Sequence, residues 1–69
     1  ALVNRYPNVG LAWKLLGIAQ RRQGKNALDA FLKTVALMPA DAEAHANLGV
    51  IQNELGAFNK AITYFKKSL

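Results

Sequence analysis

His45 is the only histidine in the chain, which makes it the first residue to test for proton transfer or metal ligation. Either role needs companions. There is no cysteine and no second histidine, and no paired carboxylate stands at ligand spacing from it. Asp41 and Glu43 read instead as acidic residues at a helix start, where the helix dipole favours negative charge. Thr34 and Ser68 are hydroxyl nucleophiles by type, but neither has a base nearby in sequence. Gly17 and Gly24 are seven apart and form no phosphate-cradling loop. The residues therefore predict no catalytic site, no cofactor and no metal in this segment.

Composition restricts the class further. The 69 residues carry nine basic and four acidic side chains, a formal charge of +5, but the longest basic runs are the pairs Arg21-Arg22 and Lys66-Lys67. Pairs of this kind solvate helix faces. The charge favours an acidic protein partner over nucleic acid, which would need a continuous basic stripe. No apolar run approaches the roughly 20 residues of a membrane span, and no signal peptide is recognisable. The lack of cysteine fits a cytoplasmic location. A chain this short buries a modest share of its surface. Its abrupt start and its end inside an apolar-periodic segment read as an excerpt from a longer array.

The elements that position these side chains come in two copies. Leu16-Gly17 with Gly24 returns 32 residues later as Leu48-Gly49 with Gly56. Ala27 to Val35 returns 34 residues later as Ala61 to Leu69. Repetition at this period marks stacked helical hairpins. The spacing predicts a helix from about Val9 to Gln23, capped by Asn8 and closed by a left-handed Gly24. Its inward stripe is Ala12, Leu15, Leu16 and Ala19, and Trp13 covers the adjacent hairpin. A second helix runs from about Asn26 to Leu37 and stops at Pro39. A third, capped by Asp41, runs from Ala42 to Leu55 with Ala44, Leu48, Ile51 and Leu55 inward. A fourth begins near Phe58 and carries Ala61, Ile62, Phe65 and Leu69. Glycine inside a helix costs about 1 kcal/mol relative to alanine, so Gly17 and Gly49 imply a facing helix too close for a side chain, with Ala27 and Ala61 as the matching contacts. The first copy lacks two residues before Ala27. A tighter turn, an early helix start or an altered crossing angle is expected there, while Phe58 wedges between the helices of the second hairpin.

These residues resemble the tetratricopeptide repeat, a helix-turn-helix of 34 residues with the pattern Trp, Leu-Gly, Gly, Ala, Phe or Tyr, Ala and Pro. The first copy supplies Trp13, Leu16, Gly17, Gly24, Ala27, Phe31 and Pro39, with Thr34 at the second alanine. The second supplies Leu48, Gly49, Gly56, Ala61 and Phe65, with His45 at the tryptophan and Ser68 at the second alanine. The resemblance implies an all-α fold, a short right-handed α-solenoid of stacked hairpins. It divides the single fragment 1–69 into a remnant of a preceding helix with its proline at 1–7, a first repeat two residues short at 8–39, and a second truncated repeat at 40–69. The texture from Pro39 to Gly49 also looks like bacterial repeat arms, including those fused to O-linked N-acetylglucosamine transferase-like enzymes.

In that family the first helices of the hairpins line a concave groove for a peptide or a partner's helix. The resemblance carries that role to Leu11, Lys14, Leu15, Ile18, Arg21 and Arg22 in copy one. In copy two it carries to Glu43, Ala46, Asn47, Val50, Asn53 and Glu54. There Lys14, Arg21 and Arg22 would receive carboxylates, Asn47 would hold a peptide backbone, and Leu15, Ile18 and Val50 would form an apolar floor. Lys14 and Asn47 also match two positions of the family's clamp for a C-terminal carboxylate, whereas Ile18 replaces one of its asparagines. The expected function is a protein-interaction scaffold. The alternatives are a substrate-recognition arm of a larger enzyme such as a glycosyltransferase, or a structural fragment that self-associates through an apolar edge at Phe58, Ile62, Phe65 and Leu69.

Overall fold

The computed structural model describes all 69 residues, and its regular elements are five helices: α1 (Leu2–Arg5), α2 (Gly10–Arg22), α3 (Leu28–Leu37), α4 (Ala42–Glu54) and α5 (Phe58–Ser68). The protein is all-α, with no strand. None of its helices is long and apolar enough to cross a membrane.

Glycine ends both long first helices in the same way. Gly24 and Gly56 have φ of 71° and 80°, the left-handed region that a Cβ disfavours. Each lets the next two amides turn back onto the helix. Lys25 N–H donates to the Gln20 carbonyl at 2.8 Å and Gly24 N–H to Arg21 at 3.0 Å, while Ala57 donates to Gln52 at 2.8 Å and Gly56 to Asn53 at 3.1 Å. At each end two carbonyls of the last turn gain a donor in this way. α4 starts on Asp41, whose Oδ1 accepts from the Ala44 amide at 3.0 Å, as the sequence predicts.

Along α2 and α3 the facing positions run in opposite directions: Gly10 lies against Met38 and Leu37, and Gly17 against Phe31. The two helices are therefore antiparallel. α3 packs in turn on α4, and α4 on α5. The core lies at the junction of the hairpins, where Ala27 and Phe31 meet Ala44, Leu48 and Ile51, with Ile18, Leu28, Val35 and Tyr64 packed around them. Thr34 is fully buried among these residues. Its hydroxyl donates to the Ala30 carbonyl at 2.9 Å, so the buried polar group keeps a partner.

Several expectations are corrected. Asn8 does not cap α2; Val9 holds the cap position and offers no side-chain acceptor. Leu15, Ala19 and Leu55 are exposed rather than inward. The close contact at Gly17 and Gly49 is made by the rings of Phe31 and Phe65, not by Ala27 and Ala61: a Cβ on either glycine would lie 2.8 Å or 2.7 Å from a ring carbon. Trp13 shares a hollow with Asp29, Leu32 and Lys33 of α3, within its own hairpin. Phe58 is 61% exposed and wedges between no helices.

The missing pair before Ala27 produces neither a tighter turn nor an early helix. α3 begins one residue after Ala27, whereas α5 begins three residues before Ala61. The first turn of the second helix is what the shorter copy lacks. Asn26 accounts for the late start, because its Oδ1 accepts from the Leu28 amide at 2.9 Å and offers the backbone a local turn in competition with a helical one.

Candidate functional site

Two ion pairs link α2 to α4, one toward the starts of the helices and one near their ends. At their starts, Lys14 Nζ donates to Asp41 at 2.9 Å (Oδ2) and 3.3 Å (Oδ1), with Glu43 Oε2 at 3.7 Å. At their ends, Arg21 Nη1 donates to Glu54 Oε1 at 3.2 Å. Start meeting start and end meeting end means that the two helices run in the same direction.

The Lys14–Asp41 pair is largely shielded from water, its side chains retaining 16% and 11% exposure. Asp41 has its carboxyl held below the usual range, first by the Ala44 amide and then by the Lys14 ammonium. Lys14 is pushed up, chiefly by its hydrogen bond to Asp41. Shielding makes this pair stronger than the exposed Arg21–Glu54 pair, which salt screens.

Apolar residues of both helices are uncovered. Leu11, Leu15 and Val50 retain 53%, 48% and 37% of their surface. Leu11 and Leu15 edge an open hollow of about 320 Å³ that is wholly apolar, completed by Leu2, Tyr6, Val9 and Ala12. Ile18 leans into the core and is half-buried. Asn47 donates its Nδ2 to the Glu43 carbonyl one turn back at 3.0 Å. Ala46 is half-buried, and Arg22 and Asn53 are exposed.

Of the expected groove residues, the structure thus brings together Lys14 with Glu43 and Arg21 with Glu54. It does not join Lys14 to Asn47, which bond to different groups. Sequence reasoning missed Asp41 as the partner of Lys14. The opposite signs of Arg21-Arg22 and Glu54 at nearly equivalent repeat positions were the visible signal for the second tie.

A second pair of equivalent contacts concerns His45. Trp13 Nε1 donates to the Pro7 carbonyl at 2.8 Å, and His45 Nε2 lies 2.8 Å from the Pro39 carbonyl, also six residues upstream. A carbonyl only accepts, so Nε2 carries a hydrogen and donates it. Nδ1 is buried without a partner, and the ring lies 6.2 Å from Tyr64, nearly parallel to it. His45 therefore does the anchoring job of Trp13. No group of three His, Asp or Glu side chains converges anywhere in the fold. No protein-family model matches the chain and no curated protein matches it.

Proposed function

We propose that the chain is a tetratricopeptide-type interaction scaffold whose α2/α4 face receives a protein or peptide partner. What supports the family reading is that the repeated residues make repeated contacts. Gly17 faces Phe31 as Gly49 faces Phe65, and Trp13 reaches Pro7 as His45 reaches Pro39. The observation that carries the functional reading is the exposure of Leu11 and Leu15 on α2 and of Val50 on α4, two helices whose Lys14 and Arg21 are already paired within the chain. A partner gains by covering those apolar side chains. Breaking the Lys14–Asp41 pair to bind an outside carboxylate would exchange one ion pair for another and gain little.

Capture of a partner by the immobilised chain tests this. Leu15→Asp and Val50→Asp are expected to abolish capture, while Arg21→Ala leaves most of it. Undiminished capture by both aspartate variants would contradict the assignment.

A second reading has its own observation. Ile62 and Phe58 on α5 and Leu69 just after it are 52%, 61% and 105% exposed, an apolar edge suited to self-association. Sedimentation across a concentration series decides it, since a monomer at every concentration removes this reading.

A further inference from the structure

The ion pairs of α2 and α4 move the unbalanced charge elsewhere. Three of the four acidic residues, Asp41, Glu43 and Glu54, face Lys14 and Arg21. Lys33, Lys60, Lys66 and Lys67 on α3 and α5 make no ion pair, and Asp29 is the one remaining acid in the chain. The second helices thus carry a net charge of about +3 from unpaired lysines, while Arg5, Arg22 and Lys25 are the unpaired cations elsewhere.

A cleft lies between these second helices. A hollow of about 490 Å³ between α3 and α5 adjoins another of about 450 Å³, and the two share Leu32, Tyr64 and Lys67. Lys60 and Lys67 line the α5 wall together with Asn59 and Thr63, and Leu28 and Leu32 line the α3 wall. No carboxylate lines either hollow. Lys60 and Lys67 are seven residues apart on one helix, a separation of about 10 Å along its axis. Lys67 is held over the Tyr64 ring, 6.0 Å from its centre, which limits the freedom its ammonium would lose on binding.

We propose that this α3/α5 cleft is a second docking site, for an acidic peptide segment of another protein. Its two carboxylates stand about 10 Å apart to meet Lys60 and Lys67, and an apolar side chain between them covers Leu28 and Leu32. The apolar wall is what selects a peptide over a nucleic-acid strand, whose phosphates would use only the lysine side. The proposal goes beyond the α2/α4 reading and shares no residue with it.

Fluorescence anisotropy with a labelled peptide, two glutamates flanking two leucines, tests it on the whole chain. Saturable binding is expected, weakened about tenfold or more by Lys60→Glu with Lys67→Glu. Leu32→Asp weakens it as well, and replacing the peptide's glutamates by glutamine removes it. Arg5→Glu with Lys25→Glu changes the net charge equally, on α1 and in the α2–α3 connection, and leaves binding within about twofold. Circular dichroism confirms that each variant remains helical, as the exposure of these side chains requires. Absence of saturable binding overturns the proposal, as does equal loss in the Arg5/Lys25 control. Tighter binding of a single-stranded oligonucleotide with the same lysine dependence also overturns it. Leu15→Asp addresses the α2/α4 face separately, so the two sites fail independently.

Discussion

The two hairpins use the same contact and bury it to different depths. Phe31 of α3 and Phe65 of α5 each lay a ring against a mid-helix glycine, but Phe31 is fully buried and Phe65 keeps 39% of its surface. The difference comes from what lies beyond the ring. α3 is sandwiched between α2 and α4, whereas the extensive packing of α5 is with α4 alone. The hairpin contact therefore builds the unit, and the neighbouring hairpin supplies the burial. The same logic leaves Ile62 exposed while its repeat equivalent Leu28 packs on the core.

The widest separation between the hairpins is expected from the rings themselves. Phe31→Ala costs about 3–5 kcal/mol as a fully buried aromatic, comparable to the whole stability of so small a domain, so the variant is unfolded at 25 °C by circular dichroism. Phe65→Ala costs about 1–2 kcal/mol, in proportion to its smaller burial, and remains folded. Equal losses in denaturant titration would break the comparison.

The seam between the hairpins comes next. Asp41→Ala removes both a helix cap and the partner of Lys14, together about 2 kcal/mol. Asp41→Asn retains a cap acceptor and costs about half of that. If Asp41→Asn is as stable as the parent, the ion tie contributes nothing to the seam.

The glycines sharpen the contrast at smaller scale. Gly17→Ala forces a Cβ into a ring that cannot retreat, so about 1–3 kcal/mol of overpacking outweighs about 1 kcal/mol of helix propensity. At Gly49 the half-exposed Phe65 ring can swing toward solvent, and the alanine variant is close to neutral. Paired thermal melts check this, and a Gly17 variant as stable as the Gly49 one would refute it.

The smallest effect is on pH. The lowered Asp41 carboxyl contributes stability above the unfolded carboxyl value of about 4, and that contribution is lost as pH falls through its lower folded value. The raised Lys14 contributes below its unfolded value of about 10.4 and loses that contribution as pH rises through its higher folded value. Between these limits the pair is expected to be insensitive to pH, and its share is about 1 kcal/mol or less. Melting curves of Asp41→Asn should lie closest to the parent's at acid pH; a constant gap at every pH would sink this reading.

Where backbone chemistry is local, it was legible in the sequence. The left-handed turns at Gly24 and Gly56 and the cap at Asp41 follow from single residue types in a periodic setting, and the structure has all three. The late start of α3 was not legible, because Asn26 suits a helix start and an Asx turn equally well. Phe58 and Leu55 misled because hydrophobicity gives a side chain's preference, while burial also requires a neighbour to cover it. At the candidate site, the exposed Leu11, Leu15 and Val50 were named from the repeat register. The partners of Lys14 and Arg21 lie 27 and 33 residues away, and only the packed helices decide which charges meet.

Amide hydrogen exchange along α3 and α5 measures the unequal covering of two like hairpins most directly. The amides from Phe31 to Thr34 are expected to exchange only through global unfolding, and those from Ile62 to Phe65 through a local opening that lets α5 leave α4, about 100-fold faster. Equal protection in the two helices would contradict the account, since α5 would then be held as firmly as the helix that forms the core.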